Sequence, residues 1–212
     1  MKLNFRTRTG KIFRHDNRIR KKLSGLLCGV DEAGRGPVAG PVVAAAVIFG
    51  DDTFIEGIFD SKQVMPAKRE VLFEEIINSA HTYGIGIVDN KKIDEINILN
   101  ATKMAMSIAV SRLKEIPEMI MADGNFFSYD TAKVENMIKG DARSYSIAAA
   151  SILAKVTRDR IMCEYQKAYP NFSFSSHKGY CTLNHIDEIL EHGYTDIHRR
   201  SYKLKALQGE LF

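Results

Sequence analysis

The chain has 212 residues, 45% hydrophobic and 26% charged, which is enough apolar material for a sizeable core, and no apolar run reaches the ~18–20 residues of a membrane span. Its net charge of +4 is uneven: residues 1–27 carry nine Lys/Arg against Asp16 alone, so the rest of the chain nets −4. Three scattered cysteines (Cys28, Cys163, Cys181) form no CxxC and no zinc-like spacing with histidine, which argues against a disulfide framework and points to a reducing, cytoplasmic setting.

Residues 1–24 read as a basic N-terminal arm, with the composition break near residue 25 as the one clear boundary and 25–212 as a single domain. The arm suits phosphate-backbone contact or a solvated tail equally well. It lacks the apolar stretch of a secretory signal. Leu26–Asp31 reads as a strand and Val42–Phe49 as a second, buried one. The Gly/Pro-rich link between them is too short for a crossover helix, so an antiparallel pair is expected. The spacing predicts a helix over Pro66–His81, a third strand over Tyr83–Asp89 and a helix over Asn97–Ile116. Glu118–Asp123 reads as a short buried strand. Ser144–Tyr169 is the longest expected helix, its Ala148-Ala149-Ala150 run allowing close packing on a sheet, and Asn184–Glu191 is a final short helix. Early strands with interleaved helices give an α/β domain, a mixed central sheet flanked by helices with a helical C-terminal part (about 182–212).

Four carboxylates stand out by position. Asp31 and Glu32 end the first strand, Asp123 ends a buried strand before Gly124, and Asp141 sits between Gly140 and the longest helix. Singly, each reads as a cap or turn residue; together at converging strand ends they need cations. Hard oxygen ligands without His or Cys point to Mg²⁺ or Mn²⁺, and two such ions ~3.5–4 Å apart serve in-line phosphoryl displacement. Successive strand residues point to opposite faces, so Asp31 and Glu32 are expected to share a site only if the strand breaks or bends at Ala33-Gly34. Asp31 is then the central ligand and Glu32 a peripheral one. Gly34-Arg35-Gly36 fails as a dinucleotide fingerprint: the next glycine is out of step at Gly40 and Pro37 intrudes. Bare backbone that approaches a sugar-phosphate fits it better.

These residues resemble the ribonuclease HII family. The first block is Gly29-Val-Asp-Glu-Ala-Gly-Arg-Gly-Pro37 with Ala39-Gly-Pro-Val-Val-Ala-Ala-Ala-Val47. Asp60-Ser-Lys62, Asn97-Ile-Leu-Asn-Ala-Thr102, Asp123-Gly124, Gly140-Asp141, Ser146 through Asp159, His177-Lys-Gly-Tyr180 and His198-Arg-Arg-Ser201 follow in the family's order. The resemblance, over about residues 28 to 202, implies an RNase H-like fold and metal-dependent hydrolysis of RNA in RNA–DNA hybrids. It also implies incision 5′ of single ribonucleotides embedded in duplex DNA, by a monomer, leaving 5′-phosphate and 3′-hydroxyl ends. By position, Asp31, Glu32, Asp123 and Asp141 match the family's metal-binding acids. Gly34, Arg35 and Gly36 match its loop sensing the ribose 2′-hydroxyl, Tyr180 matches the tyrosine that packs on the neighbouring sugar, and Lys62 is a phosphate contact. Cys181 departs from the usual glycine after that tyrosine. Asp159, in Arg158-Asp159-Arg160, reads as a salt-bridge residue, and His177, His185 and His198 as structural or phosphate-contact groups rather than zinc ligands.

Overall fold

Five segments rich in small and β-branched residues form one mixed sheet. In the computed structural model, which describes residues 7–203, the strands are β1 (Leu27–Ala33), β2 (Val42–Ile48), β3 (Thr82–Val88), β4 (Met119–Asp123) and β5 (Lys133–Met137). Their order is β3-β2-β1-β4-β5. β1 and β2 are antiparallel, as the short Gly/Pro link requires, in a register running from Cys28↔Ile48 to Ala33↔Val43. β2–β3 is also antiparallel, whereas β1–β4 and β4–β5 are parallel. β5 escapes sequence reading because it is an edge strand, mostly exposed and without apolar alternation.

The helices are α1 (Arg8–Arg20), α2 (Pro66–Ser79), α3 (Asn90–Ser111), α4 (Tyr145–Ala168), α5 (Phe174–His177) and α6 (Leu183–His192). α3 covers one face of the sheet, where Ala101, Ala105 and Ala109 meet Ala44, Ala46 and Val30. α4 covers the other with α1 and α2 beside it, burying Ala148, Ala149 and Leu153 against Ala45 and Val47. α4 comes unusually close to β1: a methyl group on Gly29 would lie 2.1 Å from the Ser146 carbonyl carbon. That contact aligns α4 with the strand that carries Asp31. α3 starts earlier than the spacing predicts, capped by Asp89, whose side chain accepts from the Lys92 N–H at 2.8 Å. A left-handed Asn97 (φ 65) kinks it, which is why the apolar periodicity becomes clear only from there.

Part of the basic N-terminal stretch is a docked helix. Ile12 and Phe13 of α1 are buried, and the Phe13 ring meets Phe54 and Tyr145 edge-on at 5.1 and 5.2 Å. Asp16, fully buried, accepts from the Ser146 N–H (2.7 Å) and the Ser144 hydroxyl (3.0 Å), placing a carboxylate at the α4 N-terminus, where helix amides favour negative charge. At the other end of α1, Arg8 donates to the Gln63 side chain at 2.7 Å, bracing the loop that carries Lys62. Composition concealed this helix because most of its cations are exposed and Ile12 and Phe13 are the large apolar side chains on an inner face otherwise made of Thr9, Gly10, Asp16 and Arg20. Among the described residues, no helix is long and apolar enough to cross a membrane.

Candidate active site

The candidate site lies where the pairing of β4 with β1 stops short. That pairing ends at Val30↔Ala122, so the β4-side edge of β1 is open beyond that point. Asp31, Glu32 and Asp123 meet there, with carboxylate oxygens all within 4.8 Å of one another. β1 keeps its register with β2 through Ala33 and the chain turns at Gly34 (φ 97), so the bend falls at the expected place, and the Asp31 and Glu32 carboxylates come together with Asp123 at this end of the strand. Asp31 is 4% exposed; its Oδ1 accepts from the Glu32 N–H at 2.7 Å, and the nearby Ser151 hydroxyl of α4 favours its charged form. Ser151 in turn shares a 2.9 Å hydrogen bond with Ser61, tying the Asp60–Lys62 loop to the same helix.

Burial, then the Glu32 and Asp123 carboxylates, push Asp31 well above the ordinary carboxylate range. Burial also raises Glu32, against the opposing pull of Arg35. Glu32 Oε2 is buried with no hydrogen-bond partner, although Oε1 takes the Arg35 guanidinium at 3.3 Å. An orphaned carboxylate oxygen beside two more carboxylates fits a divalent cation held by oxygen alone.

Asp141 stands outside the 4.8 Å group, in a short 3₁₀ turn (Gly140–Ala142) before α4. It is linked to the group electrostatically: burial, Asp60 and Asp123 raise it while Lys62 opposes. The turn itself is anchored to Asp123, whose Oδ1 accepts from the Gly140 N–H at 2.6 Å. For Lys62, burial disfavours the ammonium, but Asp141, Asp31, Asp60 and Asp123 outweigh it, so the net shift is upward and the side chain stays cationic.

Gly34, Arg35, Gly36, Lys62 and Tyr180 line the same cleft as the three acids. At about 220 Å³ it is smaller than the ~300–1,000 Å³ typical of sites that swallow a small molecule. Gly34 has φ 97, a left-handed backbone that favours glycine. Arg199, itself buried, moulds the loop by donating to the Gly34 (2.6 Å), Arg35 (3.0 Å) and Gly40 (2.9 Å) carbonyls. Arg35 projects into solvent with its guanidinium 4.8 Å from the Phe126 ring centre. Tyr180 is 45% exposed, beside Gly36.

Sequence reasoning assigned no role to Ser151, Arg158 or Arg199. For Ser151 and Arg158 the available signal was a polar residue recurring on the inner face of an otherwise apolar helix; Arg199 follows the last helix and had no such signal. Asp159 pairs with Lys155 at 2.6 Å and points away from the acids, as its sequence context suggests. All three histidines are hydrogen-bonded within the fold. His198 Nδ1 accepts from the Thr195 N–H (2.9 Å), His185 and His198 share an Nε2···Nε2 bond (3.0 Å), and His185 Nδ1 donates to the Tyr180 carbonyl (2.8 Å). His177 Nδ1 accepts from the Gly179 N–H at 3.1 Å and its Nε2 faces Glu188 at 2.9 Å. These contacts shape the turn that carries Tyr180.

A family model described as Ribonuclease HII matches residues 28–205. The chain is 50% identical over 196 residues to a ribonuclease HII of Caldicellulosiruptor saccharolyticus, covering 92% of this chain and 96% of that one. It is 55% identical over 177 residues to a ribonuclease HII of Acetivibrio thermocellus, covering 84% and 69%. Among solved structures, ribonuclease H2 from Pyrococcus horikoshii OT3 superposes with a TM-score of 0.71 at 30% identity, over 87% of this chain and 97% of that one. A mixed sheet flanked by helices, an acidic strand-end cleft and these matches agree: the chain belongs to the ribonuclease HII family, metal-dependent nucleases with ribonuclease H activity on RNA–DNA hybrids.

Proposed function

We propose that this cleft, besides hydrolysing the RNA strand of hybrids, incises duplex DNA on the 5′ side of a single embedded ribonucleotide. The products are a 3′-hydroxyl and a 5′-phosphate. One observation carries the reading: the Gly34–Gly36 loop, Lys62 and Tyr180 line the cleft that holds Asp31, Glu32 and Asp123. A groove that only bound nucleic acid would gain nothing from three mutually repelling carboxylates.

Asp31, Glu32 and Asp123 are the residues that would hold divalent ions, with Asp141 joining from the adjacent turn. Two Mg²⁺ or Mn²⁺ ions, both present with substrate bound, would supply an activated water and charge stabilisation at the leaving oxygen. The chain's own groups do the rest. The left-handed Gly34 turn brings backbone close to the sugar, where a 2′-hydroxyl can donate and accept hydrogen bonds while a deoxyribose cannot. Lys62 meets a substrate phosphate as a permanently charged ammonium. The exposed Tyr180 ring packs on the neighbouring sugar and reads the RNA–DNA junction. The enzyme acts as a monomer; its free Cys28, Cys163 and Cys181 suit a reducing, cytoplasmic setting.

The test is product mapping on an end-labelled DNA duplex with one ribonucleotide, with Mg²⁺ and Mn²⁺ compared. A single cut 5′ of the ribonucleotide is expected. Binding without incision, or cutting at the 3′ side, would sink the reading.

A further inference from the structure

We propose that Arg158 is a positioning residue that locks the Gly34–Gly36 loop and the Tyr180 turn into one rigid recognition unit. This rests on the reading of those two segments given above. Arg158 is 1% exposed, yet among the described residues its guanidinium makes no ion pair; the neighbouring Asp159 carboxylate, which pairs with Lys155, acts on it only at longer range. Its three nitrogens all donate to backbone carbonyls, two in the stretch that leaves the Gly34–Gly36 loop and one in the Tyr180 turn, while its side chain packs against Gly34. Nε and Nη2 reach Pro41 (3.0 Å) and Ala39 (3.1 Å), at the end of the glycine loop, and Nη1 reaches Lys178 (3.0 Å), two residues before Tyr180.

Burying a guanidinium without a counter-ion is costly, and burial followed by the like charge of Arg199 lowers its pKa to about 10. Chain-end capping or a surface ion pair would not require it. A planar fork of donors that grips two loops at once does require it, and a lysine ammonium cannot reproduce that grip.

The two segments fit each other as closely as they fit the arginine. Val38 N–H donates to the Gly179 carbonyl at 2.8 Å. A methyl group on Gly34 would lie 2.2 Å from Arg158 Nε, and one on Gly179, where φ is 79, would lie 2.5 Å from the Ala39 oxygen. The Tyr180 ring centre is 6.0 Å from the Arg158 Cζ. One helix supplies the reference frame. Ser151 lines the cleft beside Asp31, and Arg158 lies two turns further along α4, about 10 Å at 1.5 Å per residue. The distance from catalytic carboxylate to recognition unit is therefore fixed by a single rigid element.

The experiment compares single-turnover cleavage of a one-ribonucleotide duplex and a uniform RNA–DNA hybrid by Arg158→Lys, Tyr180→Ala and the double variant, with melting curves for each. In Arg158→Lys the ratio of junction to hybrid rate should fall roughly tenfold or more, since small misplacements of aligned groups are costly. Adding Tyr180→Ala to it should lower the ratio much less than Tyr180→Ala does alone, because the tyrosine is already displaced. An unchanged ratio in Arg158→Lys, or fully multiplicative losses, overturns the clamp. A wild-type ratio in Tyr180→Ala alone overturns the reading of Tyr180 and the clamp with it. Should Arg158→Lys not fold, Gly179→Ala, which pries the turn from the Ala39 carbonyl with Arg158 intact, decides. A lowered ratio supports the clamp and a wild-type ratio overturns it.

Discussion

Three carboxylates within 4.8 Å of one another form a destabilised cluster in the metal-free protein, and Asp31→Asn exposes that cost. At that separation two full charges repel by about 3 kcal/mol with an effective dielectric of about 20, though the upward shift of Asp31 and Glu32 means part of this is relieved by proton uptake. Asparagine is nearly isosteric, and its oxygen can still accept from the Glu32 N–H, so roughly 1 kcal/mol of hydrogen bonding is at risk. The net expectation at neutral pH is stabilisation by about 1–2 kcal/mol, or a rise in melting temperature of roughly 2–8 °C for a chain of this size. Turnover should fall at least ~10³-fold, the scale of losing a group that organises transition-state charge. The assay is chelator-treated thermal melting of both proteins, then a repeat with added Mn²⁺, which should stabilise wild type far more than the variant. A variant that melts lower than wild type without metal, or gains as much from Mn²⁺, would refute the electrostatic reasoning.

Phe13→Ala should cost about 3–5 kcal/mol in urea unfolding, because the ring is 2% exposed between Phe54 and Tyr145; a negligible change would mean α1 is not part of the folded body. Lys62→Ala should weaken binding to hybrid and reduce the slope of log affinity against log salt by about one, measured by fluorescence anisotropy; an unchanged slope removes it from the phosphate contacts. His198 is held at about 4 by burial and then by His185, below the ordinary histidine value, so the unfolded chain binds the proton first. Its contribution to stability is complete above pH 6.5 and lost as pH falls from about 6.5 towards 4. His198→Gln should flatten that part of the stability profile in urea titrations, and a profile as steep as wild type would show that the histidine does not titrate this way.

How much was legible in the sequence depended on whether a signal was local. Asp31, Glu32 and Asp123 stood out because acids ending apolar strands are costly, and the antiparallel β1–β2 pair followed from a link too short for a helix. Gly34 announced a special backbone, and its φ of 97 agrees. The rest depended on contacts between distant segments. Where Asp123 meets Asp31 and Glu32 turned on the pairing of β4 with β1 ending at Val30↔Ala122, which no feature of residues 27–33 reveals. Arg158 and Arg199 act on carbonyls 117 and 159 residues away in sequence, and carbonyls carry no side-chain signature. α1 was hidden for a different reason: Ile12, Phe13 and the buried Asp16 and Arg20 dock a helix whose remaining surface reads as a charged arm.

On the proposed reading recognition and cutting share one short stretch, with the Asp31-Glu32 pair and the left-handed Gly34 only two residues apart. The most direct measurement uses two DNA duplexes that differ by a single 2′-hydroxyl, with binding and single-turnover cleavage measured separately at saturating enzyme and fixed Mn²⁺. The expected result is similar binding of both, since phosphate contacts dominate affinity, with cleavage of the all-DNA duplex slower by on the order of 10³-fold or more. Equal cleavage rates, or a difference confined to binding, would contradict the coupling of sugar recognition to the catalytic carboxylates.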